Sequence, residues 1–260
     1  MGRRERFFQC RLTEVQELCG LVKHLKFERE DGAAFQFSAG QFVMVHFPNG
    51  EGVEINRSYS MSAPLTTATP GRFALCVKRV EGGQGSELLH ALCLGESLKC
   101  SGPYGRFVLP ATPPKEIILV ATGTGVAPYR AMLPSLEVLM REGHRVWLLF
   151  GVRYSEELLY DTTWRELAER WPARFMYRPV VSRPLASWEG EAGYVSAMLP
   201  ELLSKVDVSD AIAYLCGVPA MIDNMKEALL SSGFTRRTIK TEKYTSPPPP
   251  GRKISLPGGS

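Results

Sequence analysis

At Pro110–Glu116 the chain reads PATPPKE, and the apolar pattern on its two sides belongs to two different kinds of sheet. Proline fixes φ and removes a backbone donor, so a cluster of prolines ends any strand or helix that reaches it. Upstream, short β-branched and aromatic runs lie between Gly and Pro: FQCRLTEVQEL, GQFVMVHFP, RSYSMSA, RFALCVKRV and ESLKCSGP. Alternation with a period of two gives a strand with one buried and one wet face. Strands spaced in this way suit an antiparallel β-barrel or sandwich, with one short helix over GSELLHAL.

Downstream the rhythm changes. IILVAT is apolar without alternation, as a strand covered on both faces must be. It is followed in turn by a helical PYRAMLPSLEVLMREG, the strand RVWLLFG, a helical YDTTWRELAERW and the strand RFMYRPVVS. VSAMLPELLSK then reads as a helix, AIAYLCG as a strand, PAMIDNMKEALLSSG as a helix and RTIKTEKY as a last strand. Pro128 suits a first turn and Gly143 a helix stop, while Pro134 is expected to kink its helix or delay its regular start. Strands alternating with helices predict a doubly wound parallel sheet. The expected organisation is a β-barrel or sandwich over residues 1–112, an α/β unit over 113–245 and an extended Pro/Gly-rich tail over 246–260.

Composition narrows the function classes. A length of 260 residues with 44% hydrophobic content allows two ordinary domains with real cores. The formal charge of +4 gives no reason to expect a nucleic-acid partner. The start MGRRERFFQC lacks an apolar signal core, and Arg6 stands where a myristoyl motif needs Ser or Thr. No apolar run is long enough for an integral membrane segment. The cysteines at 10, 19, 76, 93, 100 and 216 form no CxxC pair, so no zinc or iron–sulfur site is expected. A soluble protein of a reducing compartment, the cytoplasm, is the expectation.

Several turns can receive phosphate. ATGTGVAP follows the first parallel strand, and Gly123 and Gly125 allow a tight turn and close approach to a ligand at a helix N-terminus. Arg153 follows the second strand, and Ser182 and Arg183 end the third. Cys216 and Gly217 end the fourth, all at carboxyl ends where open α/β sheets bind ligands. In the barrel, Arg57 in RSYS can neutralise a pyrophosphate, Tyr59 offers a stacking face and Ser60 a hydroxyl. In VEGGQGSELL, Gly82, Gly83 and Gly85 offer backbone amides and Ser86 can cap the next helix. Taken singly, each is also what an ordinary strand end or loop tip carries.

The order of RSYS, GGQGS, GPYGRF, GTGVAP, CGVPAM and TEKY resembles the ferredoxin–NADP reductase family over nearly the whole chain. The resemblance implies an FAD-binding antiparallel barrel followed by an NAD(P)-binding α/β domain. It implies that Arg57, Ser58, Tyr59 and Ser60 hold the flavin, with the arginine at the pyrophosphate and the tyrosine stacked on the ring. Val77, Lys78 and the turn of Gly83, Gln84, Gly85 and Ser86 bind the rest of FAD. Thr124 faces both cofactors, while Gly123, Gly125, Arg153, Ser182, Arg183, Cys216 and Gly217 receive the nicotinamide nucleotide. The implied catalytic residues are Ser60, which tunes the flavin, Cys216 beside the nicotinamide and Glu242, which stabilises or relays a proton. Tyr244 covers the flavin face until nicotinamide displaces it. The chain continues past Tyr244, where members with this pattern often end.

The implied activity passes a hydride between NAD(P)H and FAD, and single electrons to or from a ferredoxin or flavodoxin. The alternatives are an oxygenase reductase component, a free flavin reductase, or an FAD-binding electron-transfer subunit of a larger complex. NADPH is expected ahead of NADH. By the resemblance, Arg153 and Arg183 match positions that read the 2′-phosphate in NADPH-using members, Ser182 adds a hydroxyl and no acidic residue directly follows LLFG; against this, Tyr194 stands where such members often carry a further arginine, and Glu189 and Glu191 lie close by.

Overall fold

The computed structural model describes residues 7–65 and 68–245, so the expected tail at 246–260 lies outside the described residues. The first half is a six-stranded antiparallel sheet of β1 (Phe7–Cys19), β2 (Val22–Arg29), β3 (Phe42–Pro48), β4 (Glu54–Ser60), β5 (Arg72–Lys78) and β6 (Ser97–Tyr104). Its order is β4-β3-β6-β1-β2-β5, and a bridge between Met61 and Leu75 brings the end of β4 back to β5, closing the barrel. The period of two is visible in β1, where Phe8, Cys10 and Leu12 point inward and their neighbours outward. β2 was not expected. Its alternation breaks at His24 and Leu25, both buried, and its lysines disguise the rest. β4 starts earlier than RSYS and stops at Ser60. The expected short helix is α1 (Gln84–Ala91).

The second half is a parallel sheet of β7 (Glu116–Thr122), β8 (Arg145–Val152), β9 (Phe175–Val181), β10 (Glu191–Ala192), β11 (Ala211–Gly217) and β12 (Ile239–Lys243). It is wrapped by α2 (Ala127–Arg141), α3 (Asp161–Arg170), α4 (Leu199–Leu203) and α5 (Pro219–Ser231). The order β10-β9-β8-β7-β11-β12 reverses direction between β7 and β11, which fixes the crevice at their carboxyl ends. The two-residue β10 is too short to leave a sequence pattern.

One helix expectation is narrowed and one needs correction. A 3-10 turn at Gly123–Val126 leads straight into α2, which continues through Pro134 without a delayed start. An interior proline costs about 3 kcal/mol. Tyr129, Met132, Leu136 and Met140 are all buried along one face, each contributing about 1.5–3 kcal/mol, so packing wins. VSAMLPELLSK is not one helix but a 3-10 turn, Val195–Met198, followed by the single short α4. Pro200 lacks the N–H an interior position needs and therefore sits in the first turn.

The two sheets share a core. Val22, Cys76 and Phe107 pack in one apolar cluster with Tyr129, Met132 and Leu136 of α2. Polar bonds cross the same seam. Tyr214 donates to the Val108 carbonyl at 2.8 Å, and Arg130 donates to the Ser62 carbonyl at 2.8 Å while lying 4.6 Å from the Tyr160 ring centroid.

Candidate active site

The carboxyl ends of β7, β8, β9 and β11 face β4, β5 and α1 across a cleft of about 780 Å³. A cleft of this size suits cofactors rather than single ions. Of the residues expected from sequence, Arg57, Ser58, Tyr59, Ser60, Val77, Lys78, Gly83, Gly85 and Ser86 line one wall. Gly123, Thr124, Arg153, Ser182, Arg183, Gly217 and Tyr244 line the other. Gln84, Gly125, Cys216 and Glu242 do not line it.

On the barrel wall, β4 pairs Arg57 with Val45 and Tyr59 with Val43, which points both side chains the same way. Burial pushes the Tyr59 phenol up to about 12, with the Arg57 charge opposing the shift. Arg57 donates to the Asn56 carbonyl at 2.7 Å and pairs with no carboxylate among the described residues. The start of α1 lies against both. A Cβ on Gly85 would stand 2.8 Å from Tyr59 Oη and 2.9 Å from Arg57 Cγ, so only glycine lets the helix approach this closely. The expected amides are partly corrected. Gly82 N–H donates to Glu87 and Gly83 N–H to the Val80 carbonyl. The free donors fall instead to Gln84, Gly85 and Ser86, because a helix's first turn has no intrahelical acceptors for them. Ser86 does not cap α1: its hydroxyl accepts from Val80 N–H at 3.0 Å and donates to the Gly83 carbonyl at 2.9 Å, bracing the loop.

On the opposite wall, the switch point is built from backbone. Gly217 has φ +139°, and a side chain there would collide with Thr122. The Thr122 hydroxyl accepts from Val218 N–H at 3.1 Å. Gly125 is corrected: a Cβ there would strike the Cys216 carbonyl, so its smallness serves packing against β11 rather than a ligand. Ser182 N–H donates to the Val152 carbonyl at 2.9 Å and Arg183 N–H to the Arg153 carbonyl at 2.8 Å. The two arginines, far apart in sequence, thus hang from adjacent strand ends. A hydrogen bond to Tyr154 raises the Arg183 guanidinium's pKa further.

Four expected residues gather between the walls. β12 pairs with β11 so that Glu242 lies opposite Cys216. The Ser60 hydroxyl donates to the Glu242 carboxylate across the two sheets. Tyr244 N–H donates to the Gly217 carbonyl at 2.8 Å, and its phenol interacts with Ser60, Cys216 and Glu242. Burial raises the Glu242 carboxyl above its usual range, opposed by the bonds from Ser60 and Tyr244. The Cys216 thiol is fully buried and pushed well up, first by burial and then by Glu242, so it stays protonated.

Glu157, Met221, Asn224 and Lys243 also line the cleft, outside the motifs that mark the other lining residues. Met221 and Asn224 are three apart at the start of α5, and helical spacing from CGVP could have found them. Glu157 lies inside the FGVRYSEELLY loop, where its acidic neighbour Glu156 conceals which carboxylate turns inward.

The sequence matches family models for an oxidoreductase FAD-binding domain over residues 9–109 and an oxidoreductase NAD-binding domain over residues 119–227. It is 39% identical over 243 residues to ferredoxin–NADP reductase B of Sorangium cellulosum (strain So ce56), covering 91% of this chain and 97% of that protein. It is 28% identical over 242 residues to the phenol hydroxylase P5 protein of Acinetobacter pittii (strain PHEA-2), covering 92% of this chain and 66% of that one. A crystal structure of a ferredoxin NADP+ reductase from Neisseria gonorrhoeae with bound FAD and NADP superposes with TM-score 0.75 at 22% identity, covering 92% of this chain and 99% of that one. That structure shares the fold.

Proposed function

The chain belongs to the ferredoxin–NADP reductase family of FAD-dependent NAD(P)H reductases, and from that premise we propose that it exchanges electrons between NADPH and a ferredoxin- or flavodoxin-type protein. The single observation carrying this reading is the convergence of Arg57, Arg153 and Arg183 on one cleft from two sheets. None of the three pairs with a carboxylate among the described residues, so their charge is available to phosphates. We further propose residues 1–112 as the FAD-binding unit and 113–245 as the NAD(P)-binding unit. The matched family regions, 9–109 and 119–227, fall within these bounds.

The chemistry of the donor set fits the cofactors. A pyrophosphate needs cations and N–H donors, and Arg57 stands beside the first turn of α1. A flat ring needs a flat partner, and Tyr59 supplies one on the same wall. Ser58, Val77, Lys78, Gly83 and Gln84 would complete the FAD contacts. Gly123, Thr124, Ser182 and Gly217 would frame the nucleotide beside the two arginines, with Gly125 and Cys216 packed behind them. When bound, FAD would supply the redox chemistry that links a two-electron hydride donor to one-electron acceptors. The protein orients and excludes water. Ser60 and Glu242 share a hydrogen bond, and burial raises the Glu242 carboxyl above its usual range, which suits it to hold or pass a proton beside the ring. Tyr244, which lines the cleft, would screen a bound flavin ring from solvent and give way to the nicotinamide.

Among the described residues no helix is long and apolar enough to cross a membrane. A cytoplasmic location is part of the proposal and suits six free thiols. A second reading, the reductase component of an oxygenase, is favoured by the phenol hydroxylase relative. The deciding experiment releases the cofactor by heat, identifies it by chromatography, and measures reduction of ferredoxins, flavodoxins and oxygenase components with each nicotinamide. FAD, an NADPH preference and rapid reduction of ferredoxin or flavodoxin are expected. FMN, or turnover with an oxygenase component alone, overturns the proposal.

A further inference from the structure

Glu157 stands in the cleft wall with its two carboxylate oxygens committed to different sheets. Oε1 accepts from Lys78 Nζ on β5 at 3.2 Å, and Oε2 accepts from Arg153 N–H beyond β8 at 3.2 Å. The Arg153 carbonyl in turn accepts from Arg183 N–H at 2.8 Å. A chain of bonds therefore leads from the barrel to the backbone that carries both arginines. The Lys78 and Glu157 side chains are 38% and 27% exposed, and a pair this open adds little to global stability. Its effect is local. Without Lys78, a bare carboxylate would stand beside the Arg153 segment and repel a 2′-phosphate received there. Without Glu157, the Arg153 segment would lose its tie to the barrel.

We infer that Glu157 is a positioning residue for the nicotinamide nucleotide, holding Arg153 and Arg183 in register with the FAD-binding barrel through Lys78. The inference rests on the reading above that these arginines receive the 2′-phosphate. It gives the Lys78 ammonium a partner in the protein, leaving its backbone to face the flavin.

The test uses the FAD-loaded enzyme with ferricyanide as acceptor and compares kcat and KM for NADPH and NADH. Glu157→Gln keeps an acceptor for Arg153 N–H and loses the attraction to Lys78, whereas Glu157→Ala loses both. KM for NADPH should rise about threefold in the first and about tenfold in the second, with kcat and the NADH KM within about twofold of wild type. Lys78→Met exposes the carboxylate and should raise the NADPH KM more than Glu157→Gln does. The double variant Lys78→Met/Glu157→Gln should return to the Glu157→Gln level, the coupling expected of a contacting pair. At about 0.5 M salt the gap between wild type and Glu157→Gln should narrow. A structural role alone would move both nucleotides together. Equal shifts for NADPH and NADH, no shift, or additive effects of the two substitutions would overturn the inference. If Arg153→Ala and Arg183→Ala leave nucleotide selectivity unchanged, the nucleotide reading fails and this inference with it. If they lower selectivity while the Glu157 variants do not, only the positioning role fails.

Discussion

At the scale of single residues, the cleft works through charges that the fold leaves uncompensated. Arg57 spends one donor on the neighbouring Asn56 carbonyl and keeps the rest of its fork free of carboxylates among the described residues. A charge-assisted contact to pyrophosphate is worth roughly 1.5–3 kcal/mol, so Arg57→Ala is expected to weaken FAD binding roughly tenfold to a hundredfold. Titration of FAD into the apoprotein measures this, and an unchanged Kd would remove Arg57 from the site. Arg153→Ala and Arg183→Ala should each lower the ratio of kcat/KM for NADPH over NADH by about tenfold, since NADH lacks the phosphate. Loss of both efficiencies in equal measure would make them surface charges. Ser60→Ala removes a hydrogen bond between the sheets, whereas Glu242→Gln keeps an acceptor there and removes the carboxylate charge and its proton. Both should slow flavin reduction in stopped-flow while FAD stays bound, and wild-type rates would contradict the assignment.

At the scale of elements, the contact between α1 and β4 shapes the barrel wall, and Gly85 sets its closeness. Replacing glycine by alanine inside a helix usually gains up to about 1 kcal/mol from propensity. Here the new methyl meets Tyr59 Oη at 2.8 Å, Arg57 Cγ at 2.9 Å and Phe47 Cζ at 3.1 Å. Overpacking of this kind costs about 1–3 kcal/mol, and the methyl meets three side chains at once, so the cost should win. Gly85→Ala is expected to lower Tm and to weaken FAD retention together. A variant more stable than wild type with unchanged FAD affinity would show that the contact yields.

At the scale of the whole molecule, the seam between barrel and parallel sheet carries a buried histidine. His24 on β2 is 2% exposed and its Nε2 has no hydrogen-bond partner among the described residues, with the Tyr160 ring 5.9 Å away. Burial lowers its pKa to about 4, helped by Arg130 and Lys26 and opposed by Glu14. The unfolded chain takes up this proton near pH 6.5, whereas the folded protein refuses it until about pH 4. Between those values the unfolded state binds more protons, so stability falls as pH drops through that window and the loss levels off below it. The loss is about 3 kcal/mol for this group alone. Urea unfolding of wild type and His24→Gln from pH 7 to pH 4 measures it. The variant should lose distinctly less stability than wild type, and parallel curves would exclude His24 as the cause.

The sequence by itself determined the kinds of sheet and the order of the turns. Residues 117–122 are apolar without alternation because a parallel strand is covered on both faces, and β1 alternates because a barrel strand is not. RSYS, GGQGS, GTGVAP and CGVPAM were legible because phosphate-facing turns need particular residues at fixed local spacing. Where local rules competed with packing, the tertiary structure decided: Pro134 stays inside α2 because its buried face outweighs one lost bond. The tertiary structure also decided every relation between distant positions. Ser60 meets Glu242 across 182 residues, and Lys78 meets Glu157 across 79. Gly125 turned out to serve β11 and Cys216 to sit behind the cleft wall. No local pattern encodes these contacts, because each depends on how two sheets pack, and packing is fixed by shape and burial summed over the whole seam.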